Sequence, residues 1–192
     1  MPEFQMDKGG TAALQGRLKA DGTIVGDVPA NFHLPECGAI IEFRDLDEFT
    51  GAYIEALFFT DTEPGLTREN LRTPEGVDLQ ECGSQLPSDY GFADLAPETL
   101  RNIMADCAKF QSSECADQIL ADCYMREGYG PAQAGHDFWL TRCGHGSGFW
   151  DRTVLADETL GEDVGGVLTG IAQDEFGNVD VYLGDDGLIY LA

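Results

Sequence analysis

Along residues 49–57 the apolar positions Phe49, Ala52, Tyr53, Ala56 and Leu57 recur three and four apart. That is the spacing of one face of an α-helix. Asp45 or Asp47, just upstream, carries the short acceptor side chain that an N-cap needs. The pattern ends near Thr60, ahead of Glu63-Pro64-Gly65. A second run begins at Pro97, which a helix accepts in its first turn because the missing N–H has no intrahelical partner there. Leu100, Ile103, Met104, Cys107 and Ala108, then Cys115, Ile119 and Leu120, carry its apolar face to about Arg126, with a break expected at Ser112-Ser113. A third helix is expected from about Asp157 to Phe176, on Leu160, Val164, Val167, Leu168 and Ile171. Its internal Gly165, Gly166 and Gly170 each weaken it by about 1 kcal/mol, or serve close packing against a neighbour.

Strand signals are fewer. Val179 to Leu183 and Leu188 to Leu191 flank Gly184-Asp185-Asp186-Gly187, two β-rich runs around an Asp-Gly turn. Leu18 to Val25, turning at Ala20-Asp21-Gly22, reads as another hairpin. Phe138 to Thr141 and Gly148 to Trp150 are short strand candidates. Residues 61–95, rich in Pro, Gly, Asp and Glu, are expected to form a loop with short turns. The pattern predicts an α+β fold: a small antiparallel sheet with the C-terminal hairpin, packed on two or three helices. Residues 1–36 read as a loosely attached N-terminal arm and residues 37–192 as a single α+β domain. No internal repeat interrupts either part.

With 43% apolar residues and 11 Phe the composition is that of a globular chain. No apolar stretch approaches the roughly 18 residues of a membrane span. Met1 to Ala20 lacks a basic start followed by an apolar block, so no signal peptide is expected, and the cytoplasm is the expected compartment. Cys37, Cys82, Cys107, Cys115, Cys123 and Cys143 are then read as reduced, small buried hydrophobes.

Charge changes the picture most. Thirty-five acidic residues face 11 basic ones, for a formal net charge of -24. Such a field disfavours direct binding to nucleic acid or to an anionic membrane and attracts basic surfaces. Three readings follow. The acidity serves solubility in a salt-rich or acid-biased proteome, or it meets a basic partner, or it imitates a phosphate backbone and fills a nucleic-acid-binding groove.

The densest run of chemistry-bearing side chains is His136 to Arg152. It holds both tryptophans, His136 and His145, Arg142 and Arg152, and Asp137 and Asp151. Glycine at 144, 146 and 148 suggests a tight loop whose N–H groups can approach a ligand. An enzyme or small-ligand binder built here would use His136, Asp137, Arg142, His145 and Asp151, with a histidine as general acid or base. The plainer reading makes Trp139 and Trp150 core anchors and pairs the two arginines with Asp137 and Asp151. Cys143, His145 and His136 supply at most three zinc ligands, with no CxxC or HExxH, and Pro35 spoils the His33/Cys37 pair. Cys143 beside a histidine meets only the generic requirement for a thiol nucleophile. Asp45-Leu46-Asp47 opens like a calcium loop, but Ala56 stands where the closing Glu belongs. No phosphate-binding glycine loop with its Lys is present. No metal and no cofactor is expected.

The wording His136-Asp137-Phe138-Trp139-Leu140-Thr141-Arg142, then Gly144-His145-Gly146, then Gly148-Phe149-Trp150-Asp151-Arg152, resembles that of small acidic proteins of bacteriophages and mobile elements. The resemblance continues through Asp180 to Tyr190, reaches back to Tyr53-Ile54-Glu55-Ala56-Leu57, and leaves the chain before about Phe43 uncovered. Cys143 stands where those proteins commonly carry a polar residue, which makes it a poor ligand or nucleophile. The resemblance implies a setting: such proteins often block host machinery, including defence nucleases with basic grooves. The expected function is therefore a phage-type, DNA-mimic-like inhibitor in the host cytoplasm, its partner a basic, nucleic-acid-binding host protein. The carboxylates expected to matter are Asp45, Asp47, Glu48, Glu55, Asp61 and Glu63 around the first helix, and Glu98, Asp106, Glu114, Asp117 and Asp122 around the second.

Overall fold

A computed structural model describes residues 3–8, 11–18, 24–26, 41–63, 65–69, 86–113, 116–157 and 162–192, with backbone alone before residue 41 and at 157 and 162. The fold is α+β, with five α-helices among the described residues. In chain order the elements are β1 (Glu3–Lys8), β2 (Thr11–Leu18), β3 (Ile24–Gly26), α1 (Glu48–Asp61), β4 (Thr62–Glu63), β5 (Leu86–Pro87), α2 (Pro97–Ser112) and α3 (Ala116–Cys123). They continue with α4 (Pro131–Arg142), β6 (Ala156–Asp157), β7 (Glu162–Asp163), α5 (Val164–Phe176), β8 (Val181–Leu183) and β9 (Ile189–Leu191). The sheets are small: an antiparallel β1-β2-β3, a parallel pair β4-β5, and the antiparallel pairs β6-β7 and β8-β9. The expected hairpin at residues 18–25 is present as the Leu18–Ile24 register of β2 and β3; its turn lies outside the described residues.

Helix α1 starts where its cap allows. Asp47 accepts the Thr50 N–H at 3.1 Å and the Thr50 hydroxyl at 2.5 Å. Asp45 instead accepts the Glu42 N–H at 3.0 Å and closes the preceding 3-10 turn, Phe43–Asp45. From Phe49 to Leu57 only Glu55 is exposed, so α1 is a central helix rather than a surface one. Helices α2 and α3 follow the expected second run, parted at Ser113, whose hydroxyl accepts the Ala116 N–H at 3.2 Å. Helix α5 begins at Val164, seven residues later than its apolar spacing suggested, because the Asp163 carboxylate caps it by accepting the Gly166 N–H at 2.8 Å.

The main departure from the sequence pattern is α4. Phe138 to Thr141 lies on a helix, not a strand. Ala134, Gly135, Phe138, Trp139 and Arg142 are buried at helical spacing, and Pro131 stands in its first turn. Helix α4 packs along α1 so closely that a Cβ on Gly135 would overlap the Phe49 carbonyl and touch the Ala52 Cβ. Gly165 plays the same part for α5, where a Cβ would overlap the Phe149 carbonyl.

Five phenylalanines from five segments meet between these helices. The Phe110 and Phe138 rings stack at 4.2 Å, Phe49 lies 5.8 Å and Phe176 5.2 Å from Phe138, and Phe149 lies 5.6 Å from Phe110. Pairs at such separations add about 0.5–1.5 kcal/mol each beyond their burial. The expected C-terminal hairpin is present, with Val181 opposite Leu191 and Leu183 opposite Ile189. It is tied to the helices by the Ala96 N–H on the Ile189 carbonyl at 3.0 Å and the Val179 N–H on the Arg142 carbonyl at 3.2 Å. No helix among the described residues is long and apolar enough to cross a membrane.

Candidate functional site

The helix at 131–142 divides the His136–Arg152 segment into a buried half and an open half. Asp137 is completely buried. Its carboxylate accepts four donors: the Tyr129 hydroxyl at 3.2 Å, Gln133 Nε2 at 3.0 Å, and Arg152 Nε and Nη2 at 2.7 and 2.5 Å. Burial, and then the Asp137 charge, push the Tyr129 phenol well above its ordinary range, so it stays a donor. The hydrogen bonds to Asp137 likewise hold the Arg152 guanidinium charged.

Arg142 takes a different partner from the one its sequence neighbourhood suggests. It pairs with Asp106 of α2 at 2.9 Å and donates to the Tyr53 hydroxyl at 3.0 Å and the Phe176 carbonyl at 3.3 Å. Asp151, expected to pair with Arg152, keeps only a 4.0 Å contact with it and chiefly accepts the Gly148 N–H at 3.0 Å. Trp139 is a core anchor, donating to the Thr60 hydroxyl at 2.8 Å, whereas Trp150 is 42% exposed. Asp137 and Arg142 therefore hold the fold together and are not free to act on a ligand.

The open half forms a cleft of about 750 Å³ between α1, α4 and the glycine loop. His136 and His145, nine residues apart, both line it, together with Glu55, Phe59, Ser147 and Arg152. His136 Nε2 lies 3.8 Å from Glu55 Oε2. Of the five residues expected for a catalytic centre, the cleft thus gathers the two histidines. Phe59, Ser147 and Arg152 were not among those five. Phe59 had a signal: Phe58 and Phe59 are adjacent on a helix, and a turn of about 100° between neighbours keeps both from facing one core.

The carboxylates are spread over several elements. Glu48, Glu55, Glu63, Glu98, Asp117 and Asp122 are exposed, as is Asp45; Glu114 lies outside the described residues. Asp47 serves as the α1 cap and also accepts Gln111 Nε2 at 3.3 Å, and Asp106 is engaged by Arg142. Asp61 is half-buried, and burial pushes its carboxyl up against the opposing Thr60 hydroxyl, which donates to it at 2.6 Å. Burial first, and then neighbouring charges led by Asp47, push the Tyr124 phenol up.

Among the described residues no group of three His, Cys, Asp or Glu is placed to hold a metal ion; His33 and Cys37 lie outside them. Cys143 sits half-buried at the end of α4, and burial pushes its thiol up to about 11. A raised thiol pKa leaves little thiolate at neutral pH, and the fraction grows as pH rises toward that value. Alkylation of Cys143 by iodoacetamide at pH 7.5, followed on its own peptide, should run about two orders of magnitude slower than for a free thiol. Rapid labelling would show an activating base that the geometry lacks.

No family model matches the chain, and no similarity to a curated protein or a solved structure was found.

Proposed function

We propose that the chain is a non-enzymatic binding protein of phage type that occupies a basic, nucleic-acid-binding surface of a host protein, its carboxylates standing in for phosphates, in the host cytoplasm. One observation carries the reading. Every Lys and Arg whose side chain is described is already engaged by the chain itself. Arg44 pairs with Glu42, Arg68 with Asp94, Lys109 with Glu175, Arg142 with Asp106 and Arg152 with Asp137. Arg101 and Arg126 donate to the Pro97 and Val154 carbonyls. Against this, Glu48, Glu63, Asp117 and Asp122 have no Lys or Arg partner among the described residues. The field around the described residues is accordingly that of unopposed carboxylates, which speeds encounter with a basic surface and weakens as salt rises.

A pull-down from host lysate at low and high salt tests it. A basic DNA- or RNA-binding protein should be retained at low salt and released at high salt. The triple variant Glu48→Gln/Asp117→Asn/Asp122→Asn leaves the Asp47 cap intact. It should slow association with that protein about tenfold and flatten the salt dependence. Retention indifferent to both salt and these substitutions would sink the reading.

A second reading has its own observation, the shared cleft of His136 and His145. A small-ligand binder or enzyme would use the two imidazoles as proton carriers there. Loss of a ligand's binding in His136→Gln and His145→Gln, with the melting temperature unchanged, would favour it.

A further inference from the structure

Phe59 is 86% exposed, an unusual position for a phenylalanine ring. It stands on the last turn of α1, four residues after Glu55, whose side chain is 62% exposed. That spacing puts ring and carboxylate on one helix face, and both line the same cleft. The apolar surfaces of Ala56 and Leu140 lie in it too. Arg152, the cation of the cleft, is already compensated by the buried Asp137. The cleft therefore combines an exposed carboxylate, approached by His136 at 3.8 Å, with an uncovered aromatic face, on a chain of formal net charge -24.

We propose that this cleft is an arginine-accepting subsite: a guanidinium side chain of the basic partner enters it, pairs with Glu55 and lies over the ring of Phe59. The proposal rests on the reading of the chain as the partner of a basic surface, and it names the side chain that surface must present. Arginine suits the site better than lysine. Its planar fork can give two N–H groups to one carboxylate, and its weakly hydrated flat face stacks on an aromatic ring. A negative field argues equally against a phosphate or carboxylate ligand at the same place.

Two fluorescein-labelled octapeptides, alternating Gly with Arg and Gly with Lys, separate the proposal from the reading beneath it. Fluorescence anisotropy with the full chain at moderate salt should show the Arg peptide bound about fivefold more tightly. Phe59→Ala and Glu55→Gln, both at exposed positions, should each remove most of that preference. The triple variant Glu48→Gln/Asp117→Asn/Asp122→Asn should weaken both peptides alike and keep the ratio. Equal binding of the two peptides, or a preference that survives Phe59→Ala, overturns the arginine subsite while salt-sensitive binding persists. Absence of salt-sensitive binding to either peptide overturns the acidic-partner reading and the subsite with it.

Discussion

Replacing Asp137 by alanine is expected to lower the unfolding free energy by about 3 kcal/mol, read as a shift of the urea midpoint at unchanged m-value. The residue is fully buried, and its carboxylate serves Tyr129, Gln133 and Arg152 together. Alanine strands all three. The uncompensated guanidinium is the costly part, because a buried charge without its partner loses several kcal/mol, and the orphaned phenol adds about 1–3 kcal/mol. The Arg152 side chain keeps 30% exposure, so it can partly rehydrate, which sets the estimate at the lower end. Asp137→Asn, which preserves shape and one acceptor, should lie between alanine and the native residue. The double variant Asp137→Leu/Arg152→Met should recover the part of the loss due to the stranded guanidinium, since an ion pair replaced by apolar groups is close to neutral, while the orphaned Tyr129 phenol keeps the rest. A single-variant loss below about 1 kcal/mol would show that the network contributes little.

Gly135→Val is expected to cost about 3 kcal/mol or more, enough to leave a domain of ordinary stability marginal. The position lies inside α4, where helix propensity alone says that replacing glycine helps: alanine should gain about 1 kcal/mol. Packing says the opposite. A Cβ there would overlap the Phe49 carbonyl of α1 and meet the Ala52 Cβ, and the backbone of a central helix cannot yield as a flexible side chain would. Even Gly135→Ala should therefore destabilise. Gly170→Ala provides the contrast within α5, since a Cβ there meets nothing within 4 Å, and it should stabilise by up to about 1 kcal/mol. Thermal denaturation of the pair decides whether close approach or propensity governs Gly135, and a stabilised Gly135→Ala would mean that α1 and α4 can separate.

Helix α1 with Asp45 or Asp47 as its cap, the interruption after Ser112, the body of helix α5 though not its start, and the terminal hairpin were legible in the chain. Each depends on contacts within a few residues: an acceptor three positions before its donor, an apolar repeat of three and four, an Asp-Gly turn between β-rich runs. Helix α4 was not. Phe138-Trp139-Leu140 is a short apolar run of bulky residues, which periodicity alone cannot assign, and Gly135 lowers helix propensity just ahead of it. Pro131 and the spacing of Ala134, Phe138 and Thr141 were the available signals. Their weight becomes clear only once α1 is known to lie against them.

The same limit explains the site. Sequence by itself determined the acidity, the apolar faces and the concentration of aromatic, histidine and arginine side chains between His136 and Arg152. Only the tertiary structure decided which of those side chains became core and which lined a cleft. Asp137 and Arg142 look like members of one active centre when read in order. Yet five residues on a helix turn through about 500°, so the two take unrelated partners, Arg152 and Asp106. His136 and His145, separated by a helix end and a glycine loop, come to face one cleft with Glu55 and Phe59 from a helix about eighty residues earlier. Long-range ion pairs and clefts are set by which faces two helices bury against each other, and that is a property of the packed pair that neither helix carries alone.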